Sequence, residues 1–202
     1  VITIEDALIG REGVAITFDD GYRDNIENAH PVLAARGARW ALFLVAGRVG
    51  ARLDHDGEAA DCELLSWNDV RSLQAEGVEI GGHTLTHPRL SRLSFEDQRK
   101  EIRGCADAIA SETGCRPRGF AYPYGSQLDY TQSTAMLVRD AGFEYALSNR
   151  YGPVRNQDGR WEVRRIWVDR TDTLEFFERK IDGRLDSLSI LDTWAGVRVR
   201  RI

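Results

Sequence analysis

Short apolar runs alternate with longer amphipathic segments through most of the chain. Val14–Phe18 predicts a strand, the helical period over Asp24–Arg36 closed by Gly37 predicts a helix, and Trp40–Val45 predicts a second strand, which together make a βαβ unit. Residues 47–62, GRVGARLDHDGEAADC, are polar with no clear period and read as a long surface loop. Ser66 with Asp69 three residues on opens a helix that runs to Glu76 before Gly77 closes it. Val78–Ile80 is a short buried strand, and Ser94 with Asp97 opens the longest helix, Phe95–Glu112, ending at Gly114 with Pro117 beyond. Strand Gly119–Tyr122, helix Tyr130–Ala141, strands Phe143–Leu147 and Val163–Val168 and helix Thr173–Ile181 complete the pattern.

Repeated strand-helix alternation implies a parallel sheet, either doubly wound or closed as a barrel, with its chemistry beyond the carboxyl ends of the strands. A chain of 202 residues with 42% hydrophobic content buries one full core, so residues 1–202 read as a single domain with its core at about 13–182 and a tail over 183–202. The formal net charge of −5 is spread along the chain with no basic cluster, which excludes nucleic acid and anionic membrane as expected partners and favours neutral or cationic ones. No stretch approaches the ~20 apolar residues of a membrane span, and Val1–Gly10 lacks the pattern of a secretory leader. The expected compartment is cytoplasmic, or periplasmic or cell-surface if the chain is trimmed. Cys62, Cys105 and Cys115 are too few and too scattered for a disulfide framework and read as small apolar fillers.

Two motifs carry chemistry. Thr17-Phe-Asp-Asp-Gly-Tyr22 puts two carboxylates at the end of a strand, where Gly21 allows a turn that aims both into one cavity with different surroundings. Alone, it is more simply read as an Asp-Gly turn with solvated carboxylates. His83-Thr-Leu-Thr-His87 follows the strand at 78–80, and imidazoles four residues apart on a helical turn have Cβ atoms ~5–6 Å from each other, close enough to share one cation. Thr84 stands where a zinc peptidase has its glutamate, so a base must come from elsewhere. Two histidines and one carboxylate form a three-ligand set with open positions, and the second carboxylate is left to accept a proton.

TFDDGY, HTLTH and FAYPYG, in this order and spacing, resemble the first three motifs of the polysaccharide deacetylase family, carbohydrate esterase family four, over roughly Val14 to Ile181. The resemblance implies a distorted parallel (β/α) barrel of about seven strands and a metal-dependent hydrolase that removes acetyl groups from N-acetylated sugars. By motif position it implies Asp19 as catalytic base, Asp20, His83 and His87 as metal ligands, and the Tyr124 N–H as an oxyanion donor. Tyr22, Tyr122 and Pro123 fall in the motifs as expected substrate contacts, with structural packing an equal alternative for Tyr122. Zinc is the first expectation for the metal, with cobalt, nickel and iron(II) also suited to these ligands.

The chain departs from the family's pattern in three places. Ala121 stands where the third motif commonly has an arginine that orients the base, the aspartate-tryptophan motif is not recognisable, and the late histidine that supplies the general acid is missing from Arg164-Arg-Ile-Trp-Val-Asp-Arg170. Arg165, on the last strand, is the expected substitute for the arginine, and Asp19 is expected to act as base and then acid. His30 and His55 are weaker candidates for the acid. The rival readings are an O-acetyl esterase or small-amide hydrolase with the same site, and a catalytically silent, metal-containing glycan-binding domain.

Overall fold

The computed structural model describes residues 1–55, 58–155 and 159–192, with the backbone alone for 52–55, 58–62 and 190–192. Its elements in chain order are α1 (Ile4–Leu8), β1 (Ile16–Asp20), α2 (His30–Ala34, entered through a π-helical turn over Asn25–Ala29), β2 (Trp40–Leu44), β3 (Arg52–His55) and β4 (Glu58–Glu63). There follow α3 (Trp67–Ala75), β5 (Glu79–Gly82), α4 (Phe95–Thr113), β6 (Gly119–Ala121), α5 (Gln132–Asp140), β7 (Tyr145–Tyr151), β8 (Val163–Arg165) and α6 (Leu174–Ile181).

Six strands pair in parallel in the order β1-β2-β5-β6-β7-β8. A doubly wound sheet reverses its strand order at a switch point, and this order never reverses. The sheet curls as an open, distorted (β/α) barrel with six parallel strands among the described residues, against an expectation of about seven. Its seam lies between β8 and β1, which share no backbone ladder.

Side chains alternate across each strand, so the curled sheet has an inside and an outside. Ala41, Phe43, Ala121, Tyr145, Leu147 and Val163 fill the inside, joined by Ile4 from α1. Outside, Leu42, Leu44 and Ile80 pack on Val70 and Leu73 of α3 and Cys105 and Ile109 of α4. Further round, Phe120, Tyr122 and Ala146 pack on Ile102 and Ala106 of α4 and Leu137 and Val138 of α5. Covering on both faces is why β2 is a continuous apolar run with every residue buried.

The helix caps behave as their residues dictate. Ser66 and Asp69 form a reciprocal capping box, Ser94 accepts from the Asp97 N–H, and Gly114 ends α4 in the left-handed region. Residues 47–62 depart from expectation. β3 and β4 form a separate antiparallel ribbon, and a ribbon that adds no strand to the main sheet needs no period-two apolar face for its residues to pair. Cys105 is buried and its thiol is pushed up to about 12 by desolvation, whereas Cys115 is exposed, so only the former is a core filler. The side chain of Cys62 and residues 193–202 of the tail lie outside the described residues. No described helix is long and apolar enough to cross a membrane.

Candidate active site

On β1, Thr17 and Asp19 face inward, while Ile16 and Phe18 pack on the outer cluster. Asp20 would follow Phe18 outward if the strand continued. Instead it adopts φ 72°, Gly21 follows at φ 89°, and the Gly21 N–H donates to the Asp19 carbonyl at 2.9 Å. That turn brings the second carboxylate over the strand end. The register aligns Asp20 with Leu44 and Leu44 with Gly82. His83, the next residue after β5, therefore stands two strands across from Asp20, about 10 Å in backbone terms. The imidazole and the turned carboxylate close the gap, with Nε2 of His83 and of His87 each 3.4 Å from Asp20 Oδ1.

The His83–His87 segment is not the helical turn that the spacing suggests. Thr84 and His87 both lie in the left-handed region, at φ 67° and 65°, and the bend is held from α4 rather than by its own ladder. The Glu101 carboxylate accepts from the Leu85 and Thr86 N–H groups at 2.9 Å each and from the Thr86 hydroxyl at 2.8 Å. The Thr84 hydroxyl accepts from the His87 N–H at 3.0 Å. Helix α4 can approach because Gly104 faces the bend, where a Cβ would lie 2.5 Å from Leu85 Cδ1. Glu101→Gln keeps the shape but replaces an acceptor-only carboxylate, and is expected to lower divalent-cation affinity by about 10- to 100-fold, as losing a support behind metal ligands typically does. Calorimetric titration with Zn2+ checks this.

His83 is buried, and its Nδ1 lies 2.7 Å from the Ala121 carbonyl oxygen. A carbonyl only accepts, so Nδ1 carries the proton and Nε2 presents its lone pair to the cavity. One ligand atom from each of Asp20, His83 and His87 lies within 4.8 Å of the others, the one such cluster among the described residues. Two imidazole nitrogens and a carboxylate oxygen suit zinc and its first-row neighbours, so the donor set fits the divalent metal that the motifs imply.

Asp19 lies beside this cluster and has a different partner. Arg165 reaches across the seam from β8 and grips it bidentately, Nη1 to Oδ1 at 2.8 Å and Nη2 to Oδ2 at 2.6 Å. The remaining guanidinium hydrogens go to the Ser148 carbonyl from Nε (3.1 Å), the Thr17 hydroxyl from Nη1 (3.3 Å) and Asn149 Oδ1 from Nη2 (2.7 Å). All five donors of Arg165 thus have acceptors, which fixes the plane of the fork and of the carboxylate it holds. Burial pushes the Asp19 carboxyl up, but the charge of Arg165, then His83, the Arg165 hydrogen bonds and His87 together hold it below the usual carboxylate range. It is ionised at neutral pH, and its side chain keeps 21% exposure toward the opening.

After β6 the chain makes a tight turn at Pro123-Tyr-Gly125, with the Gly125 N–H donating to the Pro123 carbonyl at 2.7 Å. Tyr124 has φ 61°, and its ring lies under the Arg89 guanidinium, 3.7 Å from the centroid, and 4.9 Å from the ring of His87. Arg89 is paired with the buried carboxylate of Asp129. Among the described residues, the non-glycine residues with left-handed backbone are Asp20, Thr84, His87 and Tyr124, and all four stand at this one site. Such backbone costs about 1–3 kcal/mol per residue and persists where the surroundings over-determine it.

Two expected substrate contacts are buried, and Tyr122 is placed away from the site. Tyr122 is fully buried outside the barrel, its ring stacked 4.0 Å from that of Tyr130 and its hydroxyl donating to the Trp161 carbonyl at 2.9 Å. Ala121 points inward, so its neighbour must point outward. Pro123 is buried too and contributes its carbonyl to the turn. Tyr22 is half-buried and pairs through its backbone with Leu64 at the foot of the β3–β4 ribbon. His30 lies 2.9 Å from Glu76 and tilts against Trp40 at the start of β2, the opposite end from the site, and the side chain of His55 lies outside the described residues. Asn149 and Glu101 were not legible as site residues, although Asn149 does fall near the carboxyl end of a strand.

Known proteins resemble the chain in sequence and in fold. The family model described as polysaccharide deacetylase matches residues 9–146. Peptidoglycan-N-acetylmuramic acid deacetylase PdaC of Bacillus subtilis (strain 168) is 32% identical over 120 residues, 59% of this chain and 23% of that protein. Among solved structures, the Streptococcus pyogenes deacetylase PplD in complex with acetate superposes with a TM-score of 0.75 at 21% identity, covering 89% of this chain and 78% of that one. IcaB from Ammonifex degensii superposes with a TM-score of 0.72 at 26% identity, covering 88% and 77%. The chain spans about half or less of the length of the first curated relatives it matches.

Proposed function

The chain belongs to the polysaccharide deacetylase family, and from that premise we propose that it is a metal-dependent hydrolase that removes N-acetyl groups from an N-acetylated sugar or polysaccharide. The observation that carries the reading is an ionised Asp19, locked by Arg165, standing beside the convergent Asp20, His83 and His87 without belonging to that set.

A divalent cation held by Asp20, His83 and His87, zinc in the first instance, would polarise the acetyl carbonyl and acidify water. Asp19 takes the proton from the attacking water at a carboxylate oxygen. Arg165 keeps that oxygen in place and the carboxylate charged until then. The Tyr124 N–H donates to the oxyanion that forms on the carbonyl oxygen. An amide nitrogen leaves only once protonated, and Asp19 then carries the proton taken from water. Asp19 therefore returns the proton to the nitrogen, the C–N bond breaks, and acetate and an amine depart.

The test is acetate release from an N-acetylglucosamine oligomer by the metal-loaded protein. Arg165→Ala is expected to lower kcat by about 10- to 100-fold because the base loses both its orientation and its partner charge. Arg165→Lys, a point charge that cannot form the fork, should recover only part of the loss. A wild-type rate in Arg165→Ala would remove Arg165 from the mechanism. No release from any acetylated sugar, with the cation tightly bound, would favour a silent glycan-binding domain.

A further inference from the structure

One residue touches both halves of the machinery just described. Asn149, on β7, accepts from Arg165 Nη2 through Oδ1 at 2.7 Å and donates from Nδ2 to the Tyr124 carbonyl at 3.1 Å. Its backbone N–H donates to the Gly125 carbonyl at 2.9 Å. It thus holds the two successive carbonyls of the turn after β6 with one hand and the fork that grips Asp19 with the other. We propose that Asn149 is a positioning residue that locks the proton-transfer arm, Asp19 with Arg165, to the oxyanion arm, the Tyr124 N–H, so that the two move as one unit. This inference rests on the roles assigned above to Asp19 and Tyr124.

The chemistry of the position admits few residues. Arg165 only donates and a backbone carbonyl only accepts, so the side chain between them must offer an acceptor on one side and a donor on the other. A carboxamide does both in one plane and has a single orientation that satisfies both neighbours. Aspartate would keep the bond to Arg165 but set a negative oxygen against the Tyr124 carbonyl, and leucine of similar volume would keep neither. Tyr145 and Leu147 of β7 face the core, and beyond Leu147 the ladder to β8 shifts register where Asn149 meets Arg165 and the turn after β6. The fit on the other side is equally tight. Gly125 has φ 64°, and a Cβ there would stand 2.6 Å from the Asn149 nitrogen, so the turn can lie against β7 only as glycine.

The coupling matters because water deprotonation and oxyanion stabilisation act on the two ends of one reacting group. A misplacement of about 1 Å between such elements is enough to cost about 100-fold in rate. Tyr124 stands on the loop after β6 and Asp19 on β1, and the Asn149 side chain links that turn directly to the guanidinium that holds Asp19.

The test compares Asn149→Leu, Asn149→Asp, Arg165→Ala and the double variant Asn149→Leu/Arg165→Ala, each loaded with Zn2+. Asn149→Leu is expected to lower kcat on the N-acetylglucosamine oligomer by about 10- to 100-fold with KM changed less than about threefold. Asn149→Asp should fall as well despite its intact bond to Arg165. The double variant should lose less than the product of the two single losses, as residues acting through one network do. Backbone amide exchange should quicken over residues 123–126 in Asn149→Leu while the rest of β7 keeps its protection. Wild-type kcat, a fully multiplicative double variant, or exchange that rises along all of β7 would overturn the inference. If the wild type released no acetate, the hydrolytic reading would fail, and the exchange pattern would still decide whether Asn149 pins the turn.

Discussion

Asp19→Asn is expected to lower acetate release by about 100- to 10,000-fold, the usual range for losing a general base, and to leave cation stoichiometry at one per chain. The substitution is nearly isosteric, and its amide oxygen still accepts from one arm of the Arg165 fork while the amide nitrogen faces the other; Thr17, Ser148 and Asn149 still hold Arg165 in place. What disappears is the capacity to take a proton from water and give it to the departing nitrogen. Because one residue is asked to do both, no second acid can cover the loss, and residual activity should sit at the low end. The cation set contains no atom of Asp19, so metal analysis of the purified variant separates a proton-transfer defect from a binding one. Substantial activity in Asp19→Asn would sink the base assignment; loss of the metal together with activity would mean that Asp19 supports the ligands rather than the proton.

The strand positions and the two motif loops were legible because each rests on local chemistry: period-two runs, capping residues and glycine breaks. Asp19, Asp20, His83 and His87 could be singled out for the same reason, since strand ends in a parallel sheet are where chemistry gathers. Their conformation was not legible. The His83–His87 spacing fits a helical turn, yet the bend is set by Glu101 from α4, a carboxylate whose own surroundings in the sequence say nothing of its target. Arg165 could be anticipated only through topology, since a sheet curled in sequence order brings its last strand toward its first. Tyr122 failed for a simpler reason: being in a motif says nothing about which side of a strand a residue faces, and its neighbour Ala121 had taken the inside. Asn149 carries no signature at all, because what singles it out is the pair of partners that folding brings to it.

Stripping the protein with a strong chelator is expected to abolish acetate release, and Zn2+ is expected to restore it. Stability gives a second readout that does not depend on the substrate. Asp20, His83 and His87 converge only in the folded chain, drawn from two strand ends and a bend, so a cation binds the native state and not the unfolded one. Free metal at 100 times the dissociation constant should then raise unfolding stability by about 2.7 kcal/mol, which a thermal melt registers as an upward shift in Tm. His87→Ala removes one ligand and should erase both the activity and the metal-dependent shift. Its melt without metal supplies the baseline for reading that shift, because the imidazole is largely buried against the rings of His83 and Tyr124 and its removal costs packing of its own. The two readouts fail in different ways. A Tm shift without activity would leave a metal-stabilised fold without hydrolysis, and activity that survives chelation would remove the three ligands from the chemistry altogether.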